Sequence, residues 1–423
     1  MDQFQIPFGK RLLEFSLPGA QVDVILPNNH PPASDELATT REALELMFSR
    51  DVVGKFSKCR SAALAINDKT RPVPYDIILP TLIDKLNRIG IEDRKITLFI
   101  ATGTHTPARE IEIKSIVPPS VRNRVRIVSH DCDDQENLRF LGVTSRQTSV
   151  YINQKFLNTD LRIVTGNIEL HHFMGFSGGA KTGSIGLAGR STINQNHAML
   201  LDPNAKMGIY ERNPMRQDVE EIGDMMQIQI AVNTILTSDK KIITVVAGSP
   251  RSVMKAGIPL SRQISQTRIS HKYDMVIASA GGHPKDINLY QAQKAITHAV
   301  EFAQPGAPIL LAAECPDGSG SRSFEDFMVS SKNLEDVVNK FHQQGFQVGP
   351  HKALQLAIQC QRNPIYLLSN LDENLARSFF LTPVKSIDQG LKRALETLPT
   401  APRIVVLPHA TGTIAFSEID GEM

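Results

Sequence analysis

The chain lacks the features that would place a protein quickly. Its four cysteines, Cys59, Cys132, Cys315 and Cys360, are scattered with no C-x-x-C pair, which argues against a zinc knuckle or a disulfide framework and suits thiols in a reducing compartment. No run of roughly 18 uncharged apolar residues occurs, and the opening MDQFQIPFGKRLLEF has no charged-then-apolar leader pattern, so a cytoplasmic protein with no membrane partner is expected. Excess charge of one sign is missing too. The 46 Lys and Arg against 44 Asp and Glu leave a formal net charge of +2, so no overall field draws the chain onto nucleic acid. An acidic small molecule has to be caught by a few local cations. Internal repeats and low-complexity tracts are absent as well.

What remains is an ordinary globular composition, 41% hydrophobic and 21% charged over 423 residues, a length that argues for two domains. Short apolar, β-branched runs recur, among them AALAI, ITLFIA, LRIVTG, IITVVAG, YDMVIASA, PILLAA and RIVVL, with helical stretches such as YDIILPTLIDKLNRIG between them. Strands alternating with helices imply an α/β fold of two lobes, each a largely parallel sheet flanked by helices, with the ligand site in the cleft between lobes. The strand pattern breaks over Ala247–Thr267. This places a first lobe at residues 1–260, a second at 261–390, and a terminal segment, 391–423, whose RIVVL strand is expected to pack back on the first lobe.

Ligands of parallel sheets bind outside the C-terminal ends of the strands, and several loops there carry reactive groups. AALAI ends in NDKTRP, where Asp68 is positioned to brace Arg71 as an anion-gripping fork; a turn-capping Asp and a surface Arg are the bland alternative. ITLFIA ends in TGTHTP, with His105 at a usual place for a general acid or base. LRIVTG leads into NIELHHFMGFSGGAKT. In an extended local chain His171 and His172 point opposite ways, and His171 is expected to face the site. In RSTINQNHAML, Ser191 reads as an N-cap and His197 shares a helix face with Ile193 and Leu201, either as a core histidine or as an imidazole offered to a metal. In the second lobe, Tyr290, Gln291 and Lys294 cluster on one predicted helix, a set suited to a carboxylate or ketone oxygen, or else a solvated face.

The stretch GFSGGAKTGSIGLAG misses the P-loop pattern only by Ala180 in place of glycine. A P-loop needs a strand running straight into the glycines and a helix starting at the lysine. ELHHFM intervenes, and TGSIGLAG is too glycine-rich to start a good helix. Lys181 is therefore expected in a glycine-walled pocket that admits close approach to its amine.

DKTRP, ATGTHTP, ELHHFMGFSGGAKT, the histidine sixteen residues after that lysine, and NLYQAQKA, in this order along nearly the whole chain, together resemble the nickel-pincer-dependent lactate racemase family. The resemblance implies an isomerase, a racemase or epimerase of 2-hydroxycarboxylates working by hydride transfer through a bound 2-oxo acid. It implies a nickel-pincer nucleotide, a pyridinium-3-thioamide-5-thiocarboxylic acid mononucleotide, tethered to Lys181, with Asp68, Gly178 and Gly179 around it and His197 as the protein's ligand to nickel. It implies His105 and His171 as alternating acid and base, and Arg71, Tyr290, Gln291 and Lys294 as substrate contacts. Dedicated cofactor-biosynthesis proteins are implied as partners, with oligomerisation left open. Some family members place a tryptophan near the pincer and this chain has none, so its pocket wall differs, and a sugar-acid epimerase on the same scaffold stands beside lactate racemisation. A nickel- or nucleotide-binding protein without turnover is the reading from another class.

Overall fold

A computed structural model describes residues 3–48, 54, 56–347 and 349–417. The strands are β1 (Gln3–Phe8), β2 (Arg11–Ser16), β3 (Gln21–Val24), β4 (Ala62–Asn67), β5 (Ile96–Ala101), β6 (Arg126–Ser129), β7 (Leu138–Val143) and β8 (Ser149–Asn153). They continue with β9 (Leu161–Asn167), β10 (Leu170–His171), β11 (Gly175–Phe176), β12 (Ile230–Leu236), β13 (Ile242–Gly248) and β14 (Gln266–Ile269). The chain ends with β15 (Met275–Ser279), β16 (Ile309–Ala312), β17 (Ile365–Leu368), β18 (Thr382–Val384), β19 (Arg403–Leu407) and β20 (Ile414–Ser417). The described residues form two units, one from Asn29 to Ile264, the other from the residues up to Asn28 together with those from Ser265 on.

The 29–264 unit is built on a sheet of order β13-β12-β9-β4-β5-β6. All neighbours run parallel except β12 and β13. The middle strands β4, β5 and β9 are buried almost throughout, as strands covered by helices on both faces must be. The helix Tyr75–Arg88 supplies one cover through Ile78, Leu79, Leu82, Ile83 and Leu86. From β4 the chain adds β5 and β6 on one side, then β9 and β12 on the other. The order reverses between β4 and β9, so the crevice outside their C-terminal ends is where an α/β sheet of this kind receives a ligand.

The second unit holds an all-parallel sheet of order β18-β17-β16-β15-β19-β3. This corrects the expected domain limits in two places. The chain's first strands belong to this unit: β3 pairs with β19, and the β1–β2 hairpin sets Ile6, Phe8 and Phe15 into the same core as Met275 and Ile277. The RIVVL strand, expected to return to the first lobe, is β19, inserted between β15 and β3. Residues 418–423 of the terminal segment lie outside the described residues. The pattern break at Ala247–Thr267 is a helix, Pro250–Ser265, opened by a proline at a position where a helix needs no N–H. No helix among the described residues is long and apolar enough to cross a membrane.

The second unit carries a pH-dependent load in its core. On the helix Leu289–Phe302, His298 is 4% exposed and its Nδ1 lies 2.7 Å from the Ala410 carbonyl. Burial, helped by Lys352 and Lys294, pushes its imidazole down to about 4. The unfolded chain takes up a proton near pH 6.5 that the folded one refuses, so this contribution is complete above that pH and drains away as pH falls toward 4. The loss amounts to about 3 kcal/mol. Urea midpoints should fall between pH 7 and pH 4.5 more steeply in the wild type than in His298→Gln; equal slopes would contradict this assignment.

Candidate active site

A cavity of about 180 Å³ opens at the reversal point of the 29–264 unit. The loops leaving β4, β5 and β9 and the segment from Ser177 to His197 line it. It collects Asp68, Arg71, His105, His171, Gly178, Lys181 and His197, residues spread over some 130 positions of sequence, and with them Asn67, Thr104, Asn167, Ser177 and Thr182.

The loop after β4 is a turn closed on itself, because Asp68 Oδ1 accepts from Thr70 N at 3.0 Å and from its hydroxyl at 2.6 Å. The other oxygen, Oδ2, lies 2.6 Å from His105 Nδ1. Asp68 therefore braces His105, where bracing of Arg71 was expected. Arg71 reaches instead toward Glu169, Nη1 to Oε1 3.9 Å, and its half-exposed guanidinium keeps its fork available for an anion. Burial alone would push the Asp68 carboxyl up, but hydrogen bonds from His105 and Thr70 together hold it below the usual carboxylate range. The same bond raises the His105 imidazole above its ordinary value against the opposing effect of burial. With Nδ1 donating to Asp68, His105 presents Nε2 as an acceptor, the arrangement of a carboxylate-oriented general base. Gly103, at φ +57° and donating to the Gly186 carbonyl at 3.0 Å, makes the sharp turn that brings His105 back over β4.

His171 ends the two-residue strand β10, paired with β11 across a tight loop. It lines the cavity and His172 does not. Its Nδ1 faces the amides of Phe173 and Met174 at 3.4 and 3.3 Å. Burial, followed by the charges of Lys181 and Arg71, holds this imidazole well below its ordinary value. His171 is thus a weaker base than His105.

The β10–β11 hairpin separates β9 from the glycines, as the argument against a P-loop required. One part of that argument was wrong: a helix does begin at the lysine, but it is the single turn Lys181–Ser184. Burial, with Arg71 and Arg216 adding to it and Glu169 opposing, holds the Lys181 amine well below its ordinary value, which favours the neutral, nucleophilic form. Of the two glycines assigned to its pocket wall, Gly178 lines the cavity and Gly179 does not. Gly179 faces the interior, where a Cβ would lie 2.6 Å from Arg216 Nη2.

His197 stands on the helix Arg190–Ala198, whose N-cap is Gly189; Ser191, expected as the cap, lies inside the first turn. His197 Nδ1 is 2.9 Å from the Ile193 carbonyl, which selects Nε2 as the atom to present to a metal. Tyr290, Gln291 and Lys294 belong to the other unit, on the helix Leu289–Phe302 capped by Asn288. There Lys294 Nζ donates to Gln291 Oε1 at 2.8 Å, and Tyr290 lies under Lys352 Nζ at 5.6 Å.

Sequence reasoning missed Asn67 and Asn167. Both are the final residues of site-bearing strands, a position that could have flagged them. Thr182 donates to Asn67 Oδ1 at 3.0 Å, tying the lysine's helix to β4.

Fold and site together define an α/β protein with a lysine and three histidines gathered around a cavity at a sheet's reversal point. Comparison with known proteins makes the class specific. The family model for the lactate racemase N-terminal domain matches residues 8–208, and that for the C-terminal domain residues 269–415. The lactate racemase of Thermoanaerobacterium thermosaccharolyticum is 28% identical over 424 residues, 98% of this chain and 99% of that one. The lactate racemase of Lactiplantibacillus plantarum is 27% identical over 395 residues, 90% and 91% of the two chains. Among solved structures, the lactate racemase apoprotein from T. thermosaccharolyticum superimposes with a TM-score of 0.86 at 27% identity, covering 98% of this chain and 100% of that one. A Thermotoga maritima protein at 15% identity and TM-score 0.62, covering 92% and 99%, shares the fold. The chain belongs to the lactate racemase family and is an isomerase of the racemase type.

Proposed function

We propose that this racemase interconverts the two configurations at C2 of a 2-hydroxycarboxylate, with lactate the first candidate, and that it does so in the cytoplasm with a nickel-pincer nucleotide tethered to Lys181. The observation that carries the reading is the gathering of Lys181, His197, His105, His171 and Arg71 around one cavity. The donor set suits the group. An amine whose protonation is disfavoured by burial can be acylated, and an imidazole with Nδ1 already committed to a carbonyl could offer Nε2 to nickel. When bound, the group supplies the acceptor for hydride.

The protein's own residues do the rest. The α-hydrogen of a 2-hydroxycarboxylate is a very poor acid, since its loss as a proton puts charge beside an ionised carboxylate; loss as hydride avoids this. His105 Nε2 takes the hydroxyl proton and Asp68 stabilises the imidazolium that results. Arg71 holds the carboxylate and keeps the 2-oxo acid in place. For the opposite configuration the substrate would present its other face, with His171 serving the mirror-related geometry as the proton donor and acceptor at the hydroxyl. Dedicated biosynthetic proteins supply the nucleotide.

Asp68→Asn tests the proton-transfer half of this scheme. The wild-type base works only while His105 is unprotonated, so activity falls as pH drops through its raised pKa. Without the carboxylate that pKa falls, and the acid limb of kcat/KM moves to lower pH while the plateau drops by about a hundredfold. An unshifted acid limb would remove Asp68 from the mechanism. Racemisation assays over lactate, longer aliphatic, aromatic and sugar acids decide the substrate, and loss of activity toward all of them would overturn the assignment.

A further inference from the structure

Lys181 and His171 sit on one loop, and that loop is held from behind by the helix Pro214–Met225, which contributes nothing to the cavity lining. Its N-cap, Asn213, donates Nδ2 to the Phe173 carbonyl at 2.6 Å. Arg216, among the largest fully buried side chains, donates Nη1 to the Phe176 carbonyl at 3.1 Å and Nη2 to the Gly178 carbonyl at 3.0 Å. Its Nε donates to Glu220 Oε1 at 3.0 Å, an oxygen that also accepts from the Tyr210 hydroxyl at 3.0 Å.

A peptide plane is rigid, so its carbonyl and N–H point opposite ways. Behind Phe176, the carbonyl goes to Arg216 while Ser177 N donates to the Glu169 carbonyl at 2.8 Å. Behind Gly178, the carbonyl goes to Arg216 while Gly179 N donates to Asn233 Oδ1 at 2.7 Å. Both planes are pinned at both ends, directly ahead of Lys181. A purely fold-stabilising ion pair would put the fork on the carboxylate bidentately. Here Nε and Nη2 both converge on the single oxygen Glu220 Oε1 while Nη1 and Nη2 also serve the loop, and Glu220 Oε2 has no partner among the described residues.

We infer that Arg216 is a positioning residue of the racemase: by pinning the peptides behind Phe176 and Gly178, it fixes where the loop presents Lys181 and His171 to the cavity. The inference rests on reading Lys181 as the tether. The charged and titratable groups acting on the Lys181 amine are Arg71, Arg216, Glu169 and His171, so moving the loop changes the environment in which that amine titrates.

The test uses two variants. The double variant Arg216→Met, Glu220→Leu removes both charges at similar volume, leaving no unpaired buried ion, so the fold survives, but both peptides are released. Arg216→Lys keeps a cation opposite Glu220 and loses the planar fork. In the chain made without the cofactor-synthesis proteins, acetylation of Lys181 by acetic anhydride is followed against pH by peptide mass spectrometry. In the wild type the midpoint lies below that of surface lysines. In each folded variant it should rise by about one unit, a roughly tenfold loss of labelling at pH 7, and tethered mass in chain made with the synthesis proteins should fall in parallel. Arg216→Lys, which keeps the cation that itself lowers the amine, reports the loop's position alone. A wild-type midpoint in folded variants overturns the inference, and if the double variant does not fold, Arg216→Lys alone decides. Because labelling needs no cofactor, shifted midpoints with no tether in any chain would keep the positioning role and discard the tether reading.

Discussion

His105→Ala lowers interconversion of the enantiomers by about a thousandfold at pH 7, within the range that removal of a general base costs. The effect is large because His105 is the better base of the pair, the one whose Nδ1 is committed to a buried carboxylate at 2.6 Å. The fold should survive, since the imidazole is 58% exposed. Enantiomer assays and a melting curve on the same preparation check both parts; full activity in the variant would remove His105 from the reaction. Because racemisation has an equilibrium constant of one, kcat/KM must be equal from either enantiomer in any variant. The inequality between His105 and His171 can therefore appear only as a difference in kcat matched by one in KM.

Lys181→Met should abolish turnover to the assay background and leave the chain without tethered mass, even when it is produced beside the cofactor-synthesis proteins. Methionine keeps most of the lysine's hydrocarbon stem, so packing beside Gly178 and Thr182 changes little, and the melting temperature should stay close to that of the wild type. The loss is total because a covalent anchor is either formed or not. Residual activity above a few per cent of wild type would mean that the amine assists a site whose essential group is held elsewhere.

Much of the site was legible because parallel sheets put chemistry at strand ends. AALAI, ITLFIA and LRIVTG are β4, β5 and β9 within a residue or so, and the polar groups just beyond them converge. Asp68 lines the cavity, with His105 as its partner where Arg71 was expected. Sequence adjacency favoured Arg71, whereas β4 and β5 pair in register, Asn67 opposite Ala101, which brings residue 105 to residue 68. The Gly178–Gly179 pair was read as space around the amine, yet Gly179 is small because Arg216 Nη2 occupies the place of a Cβ. An Arg and a Glu four apart on a helix ordinarily read as a solvated pair; burial of Arg216 and Glu220 depends on the hairpin folding over them, which no local pattern encodes. The unit limits failed for a similar reason. Pairing of β3 with β19 joins segments at opposite ends of the chain, and strand propensity carries no information on partners.

The most direct test of the account is the mass of the peptide containing Lys181, taken from wild-type protein made beside the cofactor-synthesis proteins, together with nickel content and activity of the same sample. The account predicts added mass localised to Lys181, nickel in proportion to it, and activity that tracks both across preparations. Fully active protein with an unmodified Lys181 and no nickel would contradict it.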